Sequence, residues 1–320
     1  MRFSVKKIFQ GLFSNGKSRD KAEQDITASG LLEQTQPLSV TETFTTTHLV
    51  DKSGGVSPAP LQPVQFIVGC GQSVGLHRDK NQDTLYSFTA NMAGDHEEIP
   101  FGLYMVADGM GGHQKGELAS EIAVRVMAEY VLVNLYLPLI RRDQTVPYMS
   151  FQEVLQGGVN NARQAILSQV PEGGTTLTAV LMAADRMVIT HIGDSRAYVV
   201  SLDGKIEALT RDHSLVKRLQ ELGQITSEEA ATHPKRNVLY RALGQGDSAE
   251  ADIITQRLPV SGYLLICSDG LWSVISEEDI ARAITMASSP QQASKDLIEA
   301  ANLAGGPDNI SVIVVQLPTQ

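Results

Sequence analysis

Two links in this 320-residue chain are too short to do anything but reverse its direction. Ala184-Asp185-Arg186 joins the apolar runs 176–183 and 187–192, and Asp203-Gly204 lies between 196–201 and 206–209. A parallel pair needs a crossover of roughly a dozen residues, so both pairs read as antiparallel hairpins. Further strand-like runs fall at 64–69, 84–88, 101–107, 263–267 and 310–315. A helical period governs 117–137, and Ser150-x-x-Glu153 is a capping box that opens a second helix to about Gln169. Another pair follows near the end, one helix after Ser276 and one opened by Ser289 with Pro290 at its first position. Strand runs alternating with paired helices predict an α+β layered sandwich and argue against a doubly wound parallel sheet.

Residues 1–63 have a different composition, rich in Thr, Ser, Gln and Pro, with Ser53-Gly54-Gly55 and Pro58, Pro60 and Pro63 near their end. That is the composition of a linker or tail. Its first 21 residues hold six Lys/Arg and one acid, interleaved with Phe3, Val5, Ile8, Phe9, Leu12 and Phe13. Two readings stay open there: a short basic amphipathic helix on an anionic membrane surface or a partner, and a solvated extension. Lys6-Lys7 interrupts the apolar run that a cleaved signal peptide needs. Residues 64–320 are expected to form one folded unit. Within it, 213–242 reads as an inserted flap with a short helix to about Gly223, a capping box at Thr226-x-x-Glu229, and basic Lys235, Arg236 and Arg241.

Charge narrows the function. Residues 64–320 carry 19 Lys/Arg against 30 Asp/Glu. A nucleic-acid binder needs a basic face, so an acidic surplus points to cations instead. The two cysteines, Cys70 and Cys267, each sit inside an apolar run and read as buried core residues, not as a disulfide framework. The most apolar stretch, 131–140, is interrupted by Asn134 and Pro138 and falls short of the ~20 residues of a transmembrane helix. The expectation is a soluble, cytoplasmic protein.

Five aspartates share one grammar. Asp108 ends the run 101–107 and is followed by Gly109-Met110-Gly111-Gly112; Asp269 follows the run 263–267 and precedes Gly270. Asp83 and Asp308 stand just before strand runs, and Asp194 lies in the turn Gly193-Asp194-Ser195-Arg196. Any one of them alone is read more simply as a turn former. Together they are hard oxygen ligands at strand ends, with no His or Cys spacing for zinc among the seven histidines, and that set selects Mg²⁺ or Mn²⁺.

Arg78-Asp79-Lys80-Asn81-Gln82-Asp83, Asp108-Gly109-Met110-Gly111-Gly112-His113, Gly174-Thr175-Thr176, Gly193-Asp194-Ser195-Arg196, Ser268-Asp269-Gly270-Leu271-Trp272 and Gly306-Pro307-Asp308-Asn309 occur in this order. The set resembles the ordered motifs of the PPM, or type 2C, metal-dependent protein serine/threonine phosphatases, in the form of the bacterial branch, across residues 64–318. The resemblance implies a four-layer α-β-β-α sandwich of two mainly antiparallel sheets flanked by helices, with a binuclear metal centre. It implies that Asp83, Asp108, Asp269 and Asp308 hold two Mn²⁺ or Mg²⁺ ions with the Gly109 carbonyl as a further ligand. It also implies that Arg78 binds the phosphate, and that Asp194 shares a third, weaker cation with Asp269. The implied reaction is hydrolysis of phosphoserine and phosphothreonine on proteins, the natural partners being Ser/Thr kinases and their substrates.

The chain departs from the family's animal members in one place that matters. They carry a histidine two positions after the first of these DG aspartates, as proposed acid for the leaving alkoxide; here that position is Met110, which has no proton to donate. His113 is the nearest alternative donor in sequence and is equally readable as a turn residue. Gln82 stands where many members have Glu, which changes bonding around the ligands without removing one. A pseudophosphatase or another two-metal hydrolase would separate from this reading by turnover of phosphothreonine, phosphotyrosine and nucleotide substrates with and without Mn²⁺.

Overall fold

The computed structural model describes residues 65–94, 97–111, 114–141, 149–245 and 250–318. The tail reading of 1–63, its basic amphipathic start, and Gly112 and His113 lie outside them.

In chain order the strands are β1 (Ile67–Ser73), β2 (Asp83–Gly94), β3 (Glu97–Met110), β4 (Gly174–Thr175), β5 (Leu177–Ala183), β6 (Arg186–Ile192), β7 (Arg196–Val200), β8 (Ile206–Ala208), β9 (Asp252–Arg257), β10 (Tyr263–Cys267) and β11 (Ile310–Gln316). The helices are α1 (Gln114–Val131), α2 (Leu137–Arg141), α3 (Phe151–Gln169), α4 (Leu215–Glu221), α5 (Ser227–Thr232), α6 (Asp269–Trp272), α7 (Glu277–Met286) and α8 (Pro290–Leu303). Two sheets form, one in the order β1-β11-β10-β7-β8 and one in the order β2-β3-β5-β6-β9, with the short β4 paired to the end of β3. Every pairing within them is antiparallel.

Alternation along the strands sorts side chains into three apolar layers. Tyr104, Val106, Val180, Met182 and Ile189 of one sheet meet Ala197, Leu264, Ile266, Ile313 and Val315 of the other between the sheets. The intervening residues Leu103, Met105, Leu177, Ala179 and Leu181 face out against α1 and α3. On the far side Tyr198, Leu265, Val312 and Val314 pack on Leu271, Ile280, Ile284, Ala293 and Leu297 of α6, α7 and α8. The result is the expected α-β-β-α sandwich. All seven residues of β5 are buried, which is why it reads as continuous apolar sequence: it is covered on both faces. Each such aliphatic side chain contributes roughly 1.5–3 kcal/mol by leaving water.

Both predicted capping boxes form, at Ser150 with Glu153 and at Thr226 with Glu229. Pro290 occupies the first turn of α8 behind Ser289. The helix expected over 117–137 is longer and interrupted. After α1, Leu132–Tyr136 makes one π-helical turn in which the Leu137 amide bonds Leu132 O, and Pro138, which has no N–H to donate, follows at once. The stretch Gln114–Arg141 is long and apolar enough to cross a membrane. Its apolar face, with Ala119, Ala123, Met127, Val131 and Leu135, is instead committed to the core against the sheet and α3. A Cβ on Gly158 of α3 would come within 2.3 Å of Met127 Sδ, so glycine lets the two helices approach there.

Sequence periodicity missed β9 and the two-residue β4. Residues 214–239 form an excursion from the sheets that holds α4 and α5 and is closed by a bridge between Ser214 and Leu239. The sequence put Asp108 just past its strand and Asp83 just before one; both lie within strands, because β2 begins at Asp83 and β3 continues to Met110.

Candidate active site

The register of β2 on β3 places Asp83 directly opposite Asp108. β3 runs on past Asp108 because β4 pairs with Gly109 and Met110. The Asp108 backbone is bonded on both sides: its amide donates to Thr176 Oγ1 at 2.8 Å, and its carbonyl accepts from the Thr176 amide at 2.8 Å and Thr175 Oγ1 at 2.9 Å. The Gly109 amide donates to Gln82 O at 3.1 Å. A Cβ at Gly109 would sit 2.2 Å from Gly116 O, so only glycine permits α1 to start this close to the carboxylates.

The other sheet brings its own carboxylates. Asp269 opens α6 directly after Ser268 at the end of β10, and Asp308 precedes β11. Two hydroxyls join the sheets: Ser268 Oγ and Ser311 Oγ donate to Asp83 Oδ2 at 2.7 and 2.8 Å. Arg78 Nη2 donates to Asp308 Oδ2 at 2.6 Å. Asn309 fixes the loop that carries Arg78, accepting from the Gln82 amide at 2.8 Å and donating to Val74 O and Lys80 O at 2.8 and 2.9 Å. Asp194 lies in the turn between β6 and β7 after Gly193, whose φ of 109° suits glycine. Thr176 Oγ1 pairs with Ser195 Oγ at 2.8 Å, so one buried threonine contacts both the Asp108 strand and the Asp194 turn.

The electrostatics favour either protonation of this cluster or a counter-charge within it. Burial, then the neighbouring charges of Asp83, Asp269, Asp194 and Asp308, push the Asp108 carboxyl well above its ordinary range. Asp269 is raised first by burial and then by Asp194, Asp308 and Asp83. Burial also raises Asp83, against the lowering effect of the Ser268 and Ser311 hydroxyls. Asp83 Oδ1 and Asp269 Oδ1 are buried without a hydrogen-bond partner, a costly state for a carboxylate that a cation relieves. Arg78 is held protonated chiefly by its bond to Asp308, but it is half-exposed and serves the rim of the cluster. The donor set, hard and anionic, fits Mg²⁺ or Mn²⁺. Among the described residues, no three His, Cys, Asp or Glu side chains already form a closed ligand set. Asp83 Oδ2 is bonded by the two hydroxyls and Asp308 by Arg78, so a cation would compete with those contacts.

A groove of about 620 Å³ lies elsewhere, between β1 and α8, and none of the five aspartates lines it. The charge cluster, not this groove, marks the chemistry.

Arg78, Asp83, Asp108, Gly109, Asp194, Asp269 and Asp308 thus fall at neighbouring strand ends and turns, and the mutual charge effects link Asp83, Asp108, Asp194, Asp269 and Asp308. Sequence reasoning missed the duties of Ser268, Ser311, Thr176 and Asn309. The available signal was polarity in the wrong place: Ser268 and Ser311 are fully buried at the ends of otherwise apolar runs. Gln82 acts through its backbone, which serves Asn309, Gly109 and Ser120, while its Nε2 reaches Gly111 O at 3.5 Å.

Comparison with known proteins agrees with this geometry. The family model for Protein phosphatase 2C matches residues 76–302. The chain is 36% identical over 214 residues to a serine/threonine phosphatase stp of Listeria innocua, covering 67% of this chain and 84% of that protein. It is 35% identical over 249 residues to the serine/threonine protein phosphatase PstP of Mycobacterium tuberculosis, covering 76% of this chain but 43% of that longer protein. Among solved structures, the M. tuberculosis phosphatase PstP/Ppp superposes with a TM-score of 0.66 at 33% identity, over 79% of this chain and 99% of the other. A catalytic domain of PstP in complex with two manganese ions gives 0.64 at 32% identity, over 79% and 98% of the two chains. With an α-β-β-α fold and a family model matched over most of its length, the chain belongs to the protein phosphatase 2C family.

Proposed function

We propose that this chain hydrolyses phosphoserine and phosphothreonine on proteins at a binuclear centre held by Asp83, Asp108, Asp269, Asp308 and the Gly109 carbonyl. The observation that carries this is the buried cluster of mutually repelling carboxylates, with Asp83 Oδ1 and Asp269 Oδ1 left unpartnered. Bound cations would supply positive charge for the phosphoryl oxygens and a water acidic enough to attack near neutral pH.

The chain's own groups do the rest. Ser268 and Ser311 orient Asp83 through its Oδ2 and leave Oδ1 free for a ligand. Thr175 and Thr176 hold the Asp108 backbone. Arg78, half-exposed beside Asp308, offers a planar fork that stays charged and can take a phosphate in two parallel bonds, which Lys cannot reproduce. Met110 gives no proton to the departing alkoxide.

Bacterial relatives named as serine/threonine phosphatases support a role opposing Ser/Thr kinases, whose protein substrates would be the partners. A cytoplasmic setting belongs to the same reading. The catalytic unit is placed in 64–320, and a chain lacking 1–63 is expected to keep peptide dephosphorylation. The deciding experiment compares a phosphothreonine peptide, a phosphotyrosine peptide and a nucleotide after EDTA treatment and again with Mn²⁺ or Mg²⁺. Turnover of the phosphothreonine peptide, restored only by metal, supports the assignment; preference for the nucleotide overturns it.

A further inference from the structure

Asp194 and Asp269 are carried by different elements, a turn after β6 and the first residue of α6. The β7–β10 ladder brings those elements to one end of the sheet, with Arg196 opposite Cys267, but it stops short of both carboxylates. One side chain adds a direct bond: Trp272, three residues after Asp269 in the single turn of α6, donates its indole N–H to the Asp194 carbonyl oxygen at 2.9 Å. The indole is itself fixed. The Arg196 guanidinium stacks on its ring at 3.6 Å from the centroid. That guanidinium is locked by a fork onto Asp212, Nε to Oδ1 at 2.8 Å and Nη2 to Oδ2 at 2.7 Å, and by Nη1 to Tyr198 OH at 2.9 Å. A planar cation held at three points is a rigid lid over the indole.

We infer that Trp272 is a positioning residue that sets the separation of Asp194 from Asp269, and so the affinity of the weaker cation site those two carboxylates would share. The inference rests on the third-cation reading of Asp194. The indole bonds the Asp194 turn directly, whereas Asp83 is held by the Ser268 and Ser311 hydroxyls and Asp108 by Thr175 and Thr176. The two aspartates repel, Asp194 being the foremost charge acting on Asp269. The Ser195 hydroxyl anchors the turn to Thr176, and the indole bond holds it toward α6 against that repulsion. Arg196 also neutralises Asp212, which otherwise bears on Asp194.

Trp272 is the only tryptophan in the chain, so its fluorescence reports on this place alone. Titrating the metal-free full-length protein with Mn²⁺, whose unpaired electrons quench a nearby indole, should give a tight phase and a weaker one, with the weaker phase absent in Asp194→Ala. Trp272→Phe keeps a ring under Arg196 and removes only the N–H. Counted by the free-Mn²⁺ electron paramagnetic resonance signal, this variant should retain two tight ions, which also certifies its fold, and bind the weaker ion about tenfold less tightly or worse. Unchanged weak-site affinity in Trp272→Phe, with that site lost in Asp194→Ala, overturns the positioning role. A weak phase that survives in Asp194→Ala overturns the cation reading itself and the inference with it.

Discussion

Asp83 and Asp108 face each other across the β2–β3 ladder, a buried and a half-buried carboxylate in direct cross-strand register. Like charges placed opposite each other destabilise a sheet, and burial raises the cost further. A fold that keeps both, and spends the Ser268 and Ser311 hydroxyls to orient one of them, is organised around a cation.

Activity should therefore vanish in EDTA and return with Mn²⁺ or Mg²⁺, while Asp108→Ala and Asp269→Ala should fail to recover at ordinary metal concentrations. Each substitution removes an anionic oxygen that burial has already stripped of water. Undiminished turnover in either folded variant refutes the ligand assignment.

Arg78→Ala should act mainly on substrate binding. The guanidinium touches Asp308 at the rim and not the buried carboxylates, so loss of its charged bonds to phosphate raises KM by about tenfold or more, with the smaller effect on kcat. Steady-state kinetics on a phosphothreonine peptide check this. A fall in kcat at constant KM places Arg78 in transition-state stabilisation alone.

Asn309→Ala should destabilise the protein and loosen the Arg78 loop together. Its buried amide makes three bonds to Gln82, Val74 and Lys80, and leaving those backbone groups unpaired costs on the order of 2–4 kcal/mol. Denaturant unfolding gives the stability loss, and KM should rise as in Arg78→Ala. A stable variant with normal KM shows that the loop holds itself.

How much of this was legible follows from period and spacing. The hairpins around Ala184-Asp185-Arg186 and Asp203-Gly204, the capping boxes at Ser150 and Thr226, and the Pro290 start were readable because each is a local contest between nearby residues. Asp83, Asp108, Asp269 and Asp308 were readable as a group from their place beside apolar runs. The hydroxyl bridges from Ser268 and Ser311 to Asp83 were not, because they join residues 185 and 228 positions apart. The strand β9 escaped notice because none of its residues is fully buried and it offers a weak apolar signal. The end of the Asp108 strand was set too early because Asp108 pairs with Asp83 of β2 and the next two residues with β4, pairings set by the sheet and not by local propensity.

The metal-free protein should lose stability as pH rises. Burial first, and the charge of Asp212 next, raise the Asp194 carboxyl from 3.8 to about 7. A group raised by folding contributes stability that is complete below its unfolded value and is lost as pH climbs through the folded one. In EDTA, Asp194→Asn should therefore match or trail the wild type near pH 4 and overtake it by on the order of 1–3 kcal/mol at pH 8. Melting temperatures across that range decide it, and a difference between the two proteins that does not move with pH contradicts the burial argument.

Asp194→Ala should separate substrates by their leaving groups. The residue sits outside the Asp83–Asp108 ladder, in its own turn held by Trp272 and by Ser195 against Thr176, so the tight ions should remain bound. What its removal takes away is a buried carboxylate beside Asp269 able to position a proton-bearing water. That loss matters because a serine or threonine alkoxide is a poor leaving group without a proton, and Met110 supplies none. An aryl phosphate leaves as a stabilised phenolate and needs no such help. The expected result is a kcat reduced by about 10²-fold on a phosphopeptide, the lower range for a lost general acid, with a much smaller reduction on p-nitrophenyl phosphate and two metal ions still retained by direct metal analysis. Equal losses on both substrates would show that Asp194 serves the nucleophile and not the leaving group. Loss of the tight ions would make it a ligand of the main centre, and wild-type rates on both would reduce it to a cap on its turn.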